Sequence, residues 1–179
     1  MGKTTFAMNL AINSARADAS VALISADMSA SQIGIRLLAR EASIDVKQLL
    51  RSNLSMTEWQ KLSEATHAMA GLNLVVDDSL ENMTDLQQFC DRLTKRDHGL
   101  DMIVVDDLQS LAERPGWKVS SDGVGGIVRS LKLLAKELDV AIVVTSHLKP
   151  SLELRADKRP LIPYRLTMSS TVRTMHKSP

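Results

Sequence analysis

Apolar residues recur along this chain with two alternating spacings. Phe6, Leu10 and Ala11 lie at helical spacing and predict a helix over residues 6–17, directly after Gly2, Lys3, Thr4 and Thr5. Residues 21–25 then form a short run of the kind that makes a buried strand. Ser29 followed by Gln32 is a capping box, in which the Ser hydroxyl and the Gln side chain satisfy free backbone N–H groups at a helix start, and that helix is expected to run to about residue 42. Ser55 with Glu58 and Thr84 with Gln87 repeat the box ahead of amphipathic stretches at 57–69 and 85–96.

Between and after these helices lie runs rich in Val, Ile or Leu at 72–76, 102–105 and 140–145, each too short for an independent helix and suited to strands buried on both faces. Residues 124–138 are helical by spacing. Residues 112–126 hold Pro115, Gly116, Gly123, Gly125 and Gly126 and are expected to be a loop. Strand and helix alternate throughout, so the expected fold class is α/β, a mainly parallel sheet flanked by helices. From Lys149 onward several prolines, several charges and no sustained period suggest an irregular tail; the division into a partial domain over 1–160 and a divergent tail over 161–179 is what the family resemblance given below implies.

Composition narrows the picture modestly. The 179 residues are 44% hydrophobic, enough for one ordinary domain with a real core. A net charge of +1 supplies no global attraction to nucleic acid, so any such contact would need local clusters of Lys and Arg. Aromatic residues are only 3% of the chain, which disfavours a base-stacking platform. Cys90 is the only cysteine, which excludes an internal disulfide and suits a small buried residue in a helix. No apolar run reaches the length of about 18 residues needed to span a bilayer, so no membrane partner and a cytoplasmic location are expected.

The sharpest chemical signal is at the start. A phosphate-binding P-loop needs Gly-x-x-x-x-Gly-Lys-Ser/Thr, because backbone N–H groups surround the phosphates, Lys reaches the outer ones and the hydroxyl holds Mg²⁺. Gly2, Lys3 and Thr4 supply the second half of that pattern and open a helix whose dipole favours anions. Asp106, closing the apolar run 103–105, fits the acid that orients Mg²⁺ beside a nucleotide. Asp27 and His147 also fall just beyond strand ends, where ligands of open α/β sheets collect. Asp27 could be the general base toward a hydrolytic water, or simply part of the loop before Ser29. His147 could sense the terminal phosphate, or be an ordinary loop histidine.

Taken in order, these strings resemble the C-terminal ATPase domain of DnaB-type replicative DNA helicases. The first ten residues, Met-Gly-Lys-Thr-Thr-Phe-Ala-Met-Asn-Leu, look like the latter part of the family's Walker-A motif and the helix after it. Ser25-Ala26-Asp27-Met28-Ser29 resembles Ser-Leu-Glu-Met-Ser/Pro, and residues 103–109 resemble the strand Ile-Val-Val-Asp-Tyr-Leu-Gln. Arg129-Ser130-Leu131-Lys132 with residues 134–138 is similar to the family's Arg-Ser-Leu-Lys-x-Leu-Ala-Lys-Glu-Leu helix, and residues 155–160 follow its pattern too.

The resemblance implies a RecA-like P-loop NTPase core in which Gly2, Lys3, Thr4 and Thr5 bind ATP, Thr4 and Asp106 hold Mg²⁺, and Asp27 and His147 are catalytic. It implies a hexameric ring that moves along single-stranded DNA during replication, with Lys149, Arg155, Lys158 and Arg159 facing the DNA phosphates. Several departures are expected to matter. Asp27 stands where the family has Glu, which withdraws the carboxylate by about 1.5 Å and should slow turnover. His147 replaces a Gln, although His-Leu-Lys resembles a γ-phosphate-sensing string of phage ring helicases. The strand before the P-loop and the primase-binding N-terminal domain are expected to be missing, and the match is lost after Pro160.

Two other readings compete. One is a truncated, catalytically degenerate remnant that acts at most by assembling with an intact helicase relative. The other is a RecA-like ATPase that does not unwind DNA, such as a recombinase or a circadian-type ATPase, which the strings around Arg129 and Arg155 disfavour.

Overall fold

A computed structural model describes residues 2–117 and 123–147. In chain order the elements are α1 (Lys3–Arg16), β1 (Val21–Ser25), α2 (Ala30–Ala42), α3 (Val46–Leu50), α4 (Met56–Ala70), β2 (Leu74–Asp77), α5 (Met83–Thr94), β3 (Met102–Asp106), α6 (Leu108–Glu113), a 3-10 turn (Pro115–Trp117), α7 (Val124–Leu138) and β4 (Ala141–Val144). The four strands form one parallel sheet in the order β2-β1-β3-β4. This is the α/β architecture expected from the alternation, because parallel neighbours need a crossover between them and here helices supply it.

Both faces of the sheet are covered, which explains why its central strands are apolar without alternation. Val21, Leu23 and Val104 point to one face and pack with Ala7, Ala11 and Ile12 of α1 and Ile33 and Leu37 of α2. Ala22, Ile24, Ile103 and Val105 point to the other, against Leu86 and Phe89 of α5, Leu108 and Leu111 of α6, and Ile127 and Leu131 of α7. Cys90 is fully buried in that second cluster, as its helical position suggested. A smaller cluster of Ala42, Ile44 and Ala65 joins α2 to α4.

Two of the three expected capping boxes are present. Gln32 N–H donates to the Ser29 hydroxyl oxygen at 3.2 Å while Ser29 N–H donates to Gln32 Oε1 at 3.0 Å. Ser55 and Glu58 do the same at 3.3 and 2.8 Å. The third box, Thr84 with Gln87, does not form. Helix α5 starts earlier, with Asn82 in extended geometry as its N-cap and Asp85 N–H donating to Asn82 Oδ1 at 2.9 Å. An Asn two residues upstream takes the cap, which leaves Thr84 inside the first turn.

The run 72–76 shifts to β2 at Leu74–Asp77, because Leu72 N–H still donates to Met69 O at 3.0 Å and belongs to the turn closing α4. The expected loop at 112–126 is regular over much of its described residues, 112–117 and 123–126. It holds the end of α6, the 3-10 turn and the start of α7, with Gly125 and Gly126 inside the helix. Trp117 at the end of the turn is fully buried in the core. Gly116 lies so close to the backbone at Glu81 that an added Cβ would sit 2.4 Å from Glu81 O, so only glycine fits there. The tail 161–179, the boundary at 160 and Lys149, Arg155, Lys158 and Arg159 all lie outside the described residues. Among the described residues no helix is long and apolar enough to cross a membrane.

Candidate functional site

The carboxyl ends of β1, β3 and β4 share one rim of the sheet, and the parallel register places them together. Ser25 is opposite Asp106 in the β1–β3 ladder. The hydrogen bonding runs on past the strands, with Ala26 N–H donating to Asp106 O at 2.8 Å and Leu108 N–H to Thr145 O at 3.0 Å. Polar residues at this rim are therefore held by backbone on both sides. Ser25, Asp106, Asp107 and Thr145 are the buried polar side chains among the described residues.

Helix α1 brings the phosphate-binding candidates to the same rim. Gly2 precedes it with φ 93°, a left-handed conformation suited to glycine, and no side chain caps the helix. The first-turn N–H groups and the positive end of the helix dipole thus remain available to an anion. Gly2, Lys3, Thr4 and Thr5 line a pocket of about 230 Å³ together with Asp27, Arg36, Asp107 and His147. Of the residues singled out from sequence, the structure therefore gathers Gly2, Lys3, Thr4, Thr5, Asp27 and His147 around one space.

Asp106 lies behind the pocket wall. It is 3% exposed, and the Thr145 hydroxyl donates to its Oδ1 at 2.5 Å. The residue that reaches the pocket from this strand end is its neighbour Asp107, 6% exposed. Asp107 Oδ1 accepts the Ser110 N–H at 2.9 Å, capping α6, while its Oδ2 meets His147 Nε2 at 2.5 Å. Burial pushes the Asp107 pKa upward. Hydrogen bonds from the Ser110 N–H and the His147 ring outweigh burial and leave it below the ordinary carboxylate value.

His147 is gripped on its backbone as well. Its N–H donates to Gln109 Oε1 at 2.9 Å, and Gln109 Nε2 donates to Ser146 Oγ at 2.7 Å and His147 O at 3.2 Å. On the pocket side Lys3 Nζ approaches His147 Nδ1 at 3.3 Å. Asp27 and Arg36, both exposed, complete the lining. The loop carrying Asp27 is fixed by Arg114, whose guanidinium donates to Ala26 O at 3.0 Å, Asp78 O at 3.2 Å and Leu80 O at 2.8 Å.

The pocket pairs two basic side chains, Lys3 and Arg36, with two acidic ones, Asp27 and Asp107, beside a helix N-terminus. Its oxygen donors, the Thr4 hydroxyl and the carboxylates, are hard ligands that suit Mg²⁺ better than a soft metal. Among the described residues no cluster of three or more His, Cys, Asp or Glu could hold a metal by itself. Mg²⁺ would then lean on phosphate and water oxygens, its usual habit.

Asp107, Gln109 and Arg36 were not identified from the sequence. An Asp just before the apolar pair at 108 and 111 is a helix N-cap signal that could have drawn attention to Asp107. Nothing in the local sequence points Gln109 at His147 or brings Arg36 to the pocket of Lys3, because both meetings cross between elements. Cys90 has no part in the site. Burial, with Asp91 adding to it, pushes its thiol up to about 12.

Comparison with known proteins points one way. The profile of the family described as DnaB-like helicase C terminal domain matches residues 1–167. The chain is 38% identical over 165 residues to the replicative DNA helicase DnaB of Geobacillus stearothermophilus. It is 40% identical over 166 residues to that of Haemophilus influenzae. Each alignment covers 90% of this chain but only 36% and 35% of the relative, so the chain spans little more than a third of their length. Among solved structures, a DnaB-like replicative helicase described with its primase interactions superposes with a TM-score of 0.79 at 29% identity, covering 90% of this chain and 40% of that one. A second solved chain, described as an ATPase domain, gives the same TM-score and identity over 58% of its length.

Proposed function

This chain belongs to the family of DnaB-like helicase C-terminal domains, and from that premise we propose that it binds and hydrolyses ATP with Mg²⁺ to drive movement along single-stranded DNA in replication. The observation that carries this reading is the meeting of Gly2, Lys3, Thr4 and Thr5 with Asp27, Arg36, Asp107 and His147 in one pocket at the carboxyl rim of a parallel sheet. Lys3 and the first-turn N–H groups of α1 would bind the phosphates, and Arg36 adds a second cation to the pocket. The Thr4 hydroxyl would hold Mg²⁺, which when bound offsets phosphate charge, and Asp106, set behind the pocket wall, would act on its water shell and not as a direct ligand. Asp27 would take a proton from the attacking water, and His147 would contact the terminal phosphate.

In this reading single-stranded DNA is met by Lys149, Arg155, Lys158 and Arg159, and the working form is an oligomeric ring of identical copies or one completed by an intact relative. The deciding measurement is ATP hydrolysis with and without single-stranded DNA. The wild-type chain should turn over faster with DNA, and Lys3→Ala should lower turnover by about a hundredfold, the scale of losing one charge-stabilising donor. Equal rates for the two proteins would reject a working site.

A second reading has one observation in its favour. Asp27 is a short carboxylate on an exposed loop, which suits a chain that binds nucleotide and assembles with an active relative without turning over itself. Tight ATP binding with no hydrolysis, together with co-assembly with a full-length homologue, would select it.

A further inference from the structure

The hydrogen bonds around His147 specify its ring on both sides. Asp107, as a carboxylate, can only accept, so the Nε2 that faces it at 2.5 Å must carry the proton. Lys3, as an ammonium, can only donate, so the Nδ1 that faces it at 3.3 Å must be bare. One neutral tautomer satisfies both contacts. The other would set a lone pair against a carboxylate and an N–H against an ammonium.

We propose that Asp107 is a positioning residue that fixes His147 in the Nε2–H tautomer and so presents an unprotonated Nδ1 to Lys3 inside the phosphate pocket. Asp107 is well placed to do this. It is almost fully buried and anchored by the Ser110 N–H at 2.9 Å, so its second oxygen has little freedom to move away from the ring. The Gln109 amide holds the His147 backbone in both directions, which fixes the ring's point of attachment. Asp107 stands where the strand quoted above has Tyr, and His147 where the family has Gln, so two departures from that pattern are in direct contact.

The consequence concerns Lys3. With phosphate absent, a bare Nδ1 holds the Lys3 ammonium at the mouth of the pocket, already close to where an incoming anion needs it. Preorganising a long, flexible side chain reduces the entropy lost on binding. The inference rests on the phosphate-pocket reading for its purpose, but not for its test.

Asp107→Asn is the informative substitution. Asn still accepts the Ser110 N–H through its carbonyl oxygen, which keeps the α6 cap, and turns an amide donor toward Nε2. The buried Asn contact outranks the exposed Lys3 contact at 3.3 Å, so the ring should then move its proton to Nδ1 and the long Lys3 side chain should swing away from it. The test is a ¹⁵N spectrum of the histidine-labelled chain at about pH 8.5, well above the ordinary imidazole pKa of about 6.5. The His147 signals are identified by their loss in His147→Gln. Wild type should show a protonated Nε2 and a bare Nδ1, and Asp107→Asn the reverse. In steady-state ATP hydrolysis the variant should lose roughly ten- to a hundredfold in turnover. ADP affinity should be kept or improved, because a carboxylate charge has left the pocket.

A wild-type ring protonated on Nδ1, or a tautomer that Asp107→Asn leaves unchanged, overturns the proposal. Failure of the wild-type chain to bind ADP would instead count against the phosphate-pocket reading, while the ring spectrum would still decide the role of Asp107.

Discussion

A general base must sit within hydrogen-bond reach of the water it activates, and a shortfall of about 1 Å can cost a hundredfold in rate. Asp27 lies on the pocket wall, yet its carboxylate ends one methylene short of the Glu found at this place in the family. Arg114 bonds to the carbonyl of Ala26 and so limits how far the loop can move to make up the distance. We expect Asp27→Glu to raise turnover by about tenfold with little change in KM, measured by steady-state ATP hydrolysis. A fall in turnover would mean that Asp27 is already correctly placed and that the loop has adapted to the shorter acid. Candidate acids at strand ends were legible one by one. Which acid of the adjacent pair 106 and 107 faces the pocket was not, because that depends on how each side chain leaves the strand end and on what waits there. Thr145 takes the first and His147 the second.

Helix starts were legible where a local side chain does the capping. Ser29 and Ser55 each cap the helix that their sequence announced. At α5 two candidate caps lie two residues apart, and Asn82 prevails over Thr84. Asn82→Ala should therefore cost about 1 kcal/mol of stability, while Thr84→Ala should stay within about 0.5 kcal/mol. Urea unfolding midpoints separate the two; equal losses would restore the Thr84 cap. Helices α3 and α6, of 5 and 6 residues, escaped detection. Segments so short carry too little periodicity to be recognised and are too short to be stable alone. Helix α6 nonetheless brings its cap Asp107 and its residue Gln109 to the site and leads into the Arg114 contacts, so a segment with a weak local signal organises much of the rim.

At the scale of the whole molecule, the two faces of the sheet are closed by different helices, and the 3-10 turn completes the second core. Trp117 is fully buried there, and its indole N–H donates to Leu80 O at 3.3 Å. Trp117→Ala should lower stability by about 3–5 kcal/mol, the usual range for a buried aromatic, and Trp117→Phe by less, because the ring is only partly removed and the Leu80 carbonyl keeps its Arg114 donor at 2.8 Å. Chemical denaturation monitored by circular dichroism measures both. A loss under about 1 kcal/mol for the alanine variant would show the turn to be peripheral. Arg114 and Trp117 together tie the segment after α6 to the loops beyond β1 and β2, so the pocket wall carrying Asp27 and the wall carrying His147 are braced through one stretch of chain.

The succession of the four strands and the five longer helices, the parallel sheet, two of the three predicted caps and the helix that opens at Gly2, Lys3 and Thr4 followed from the sequence, because each depends on residues within a few positions of one another. The pairing of Asp107 with His147, the Gln109 clamp, the arrival of Arg36 at the pocket and the burial of Trp117 were decided only in three dimensions. Their partners lie tens of residues apart, and no spacing rule connects side chains that meet only because parallel strands end at the same rim.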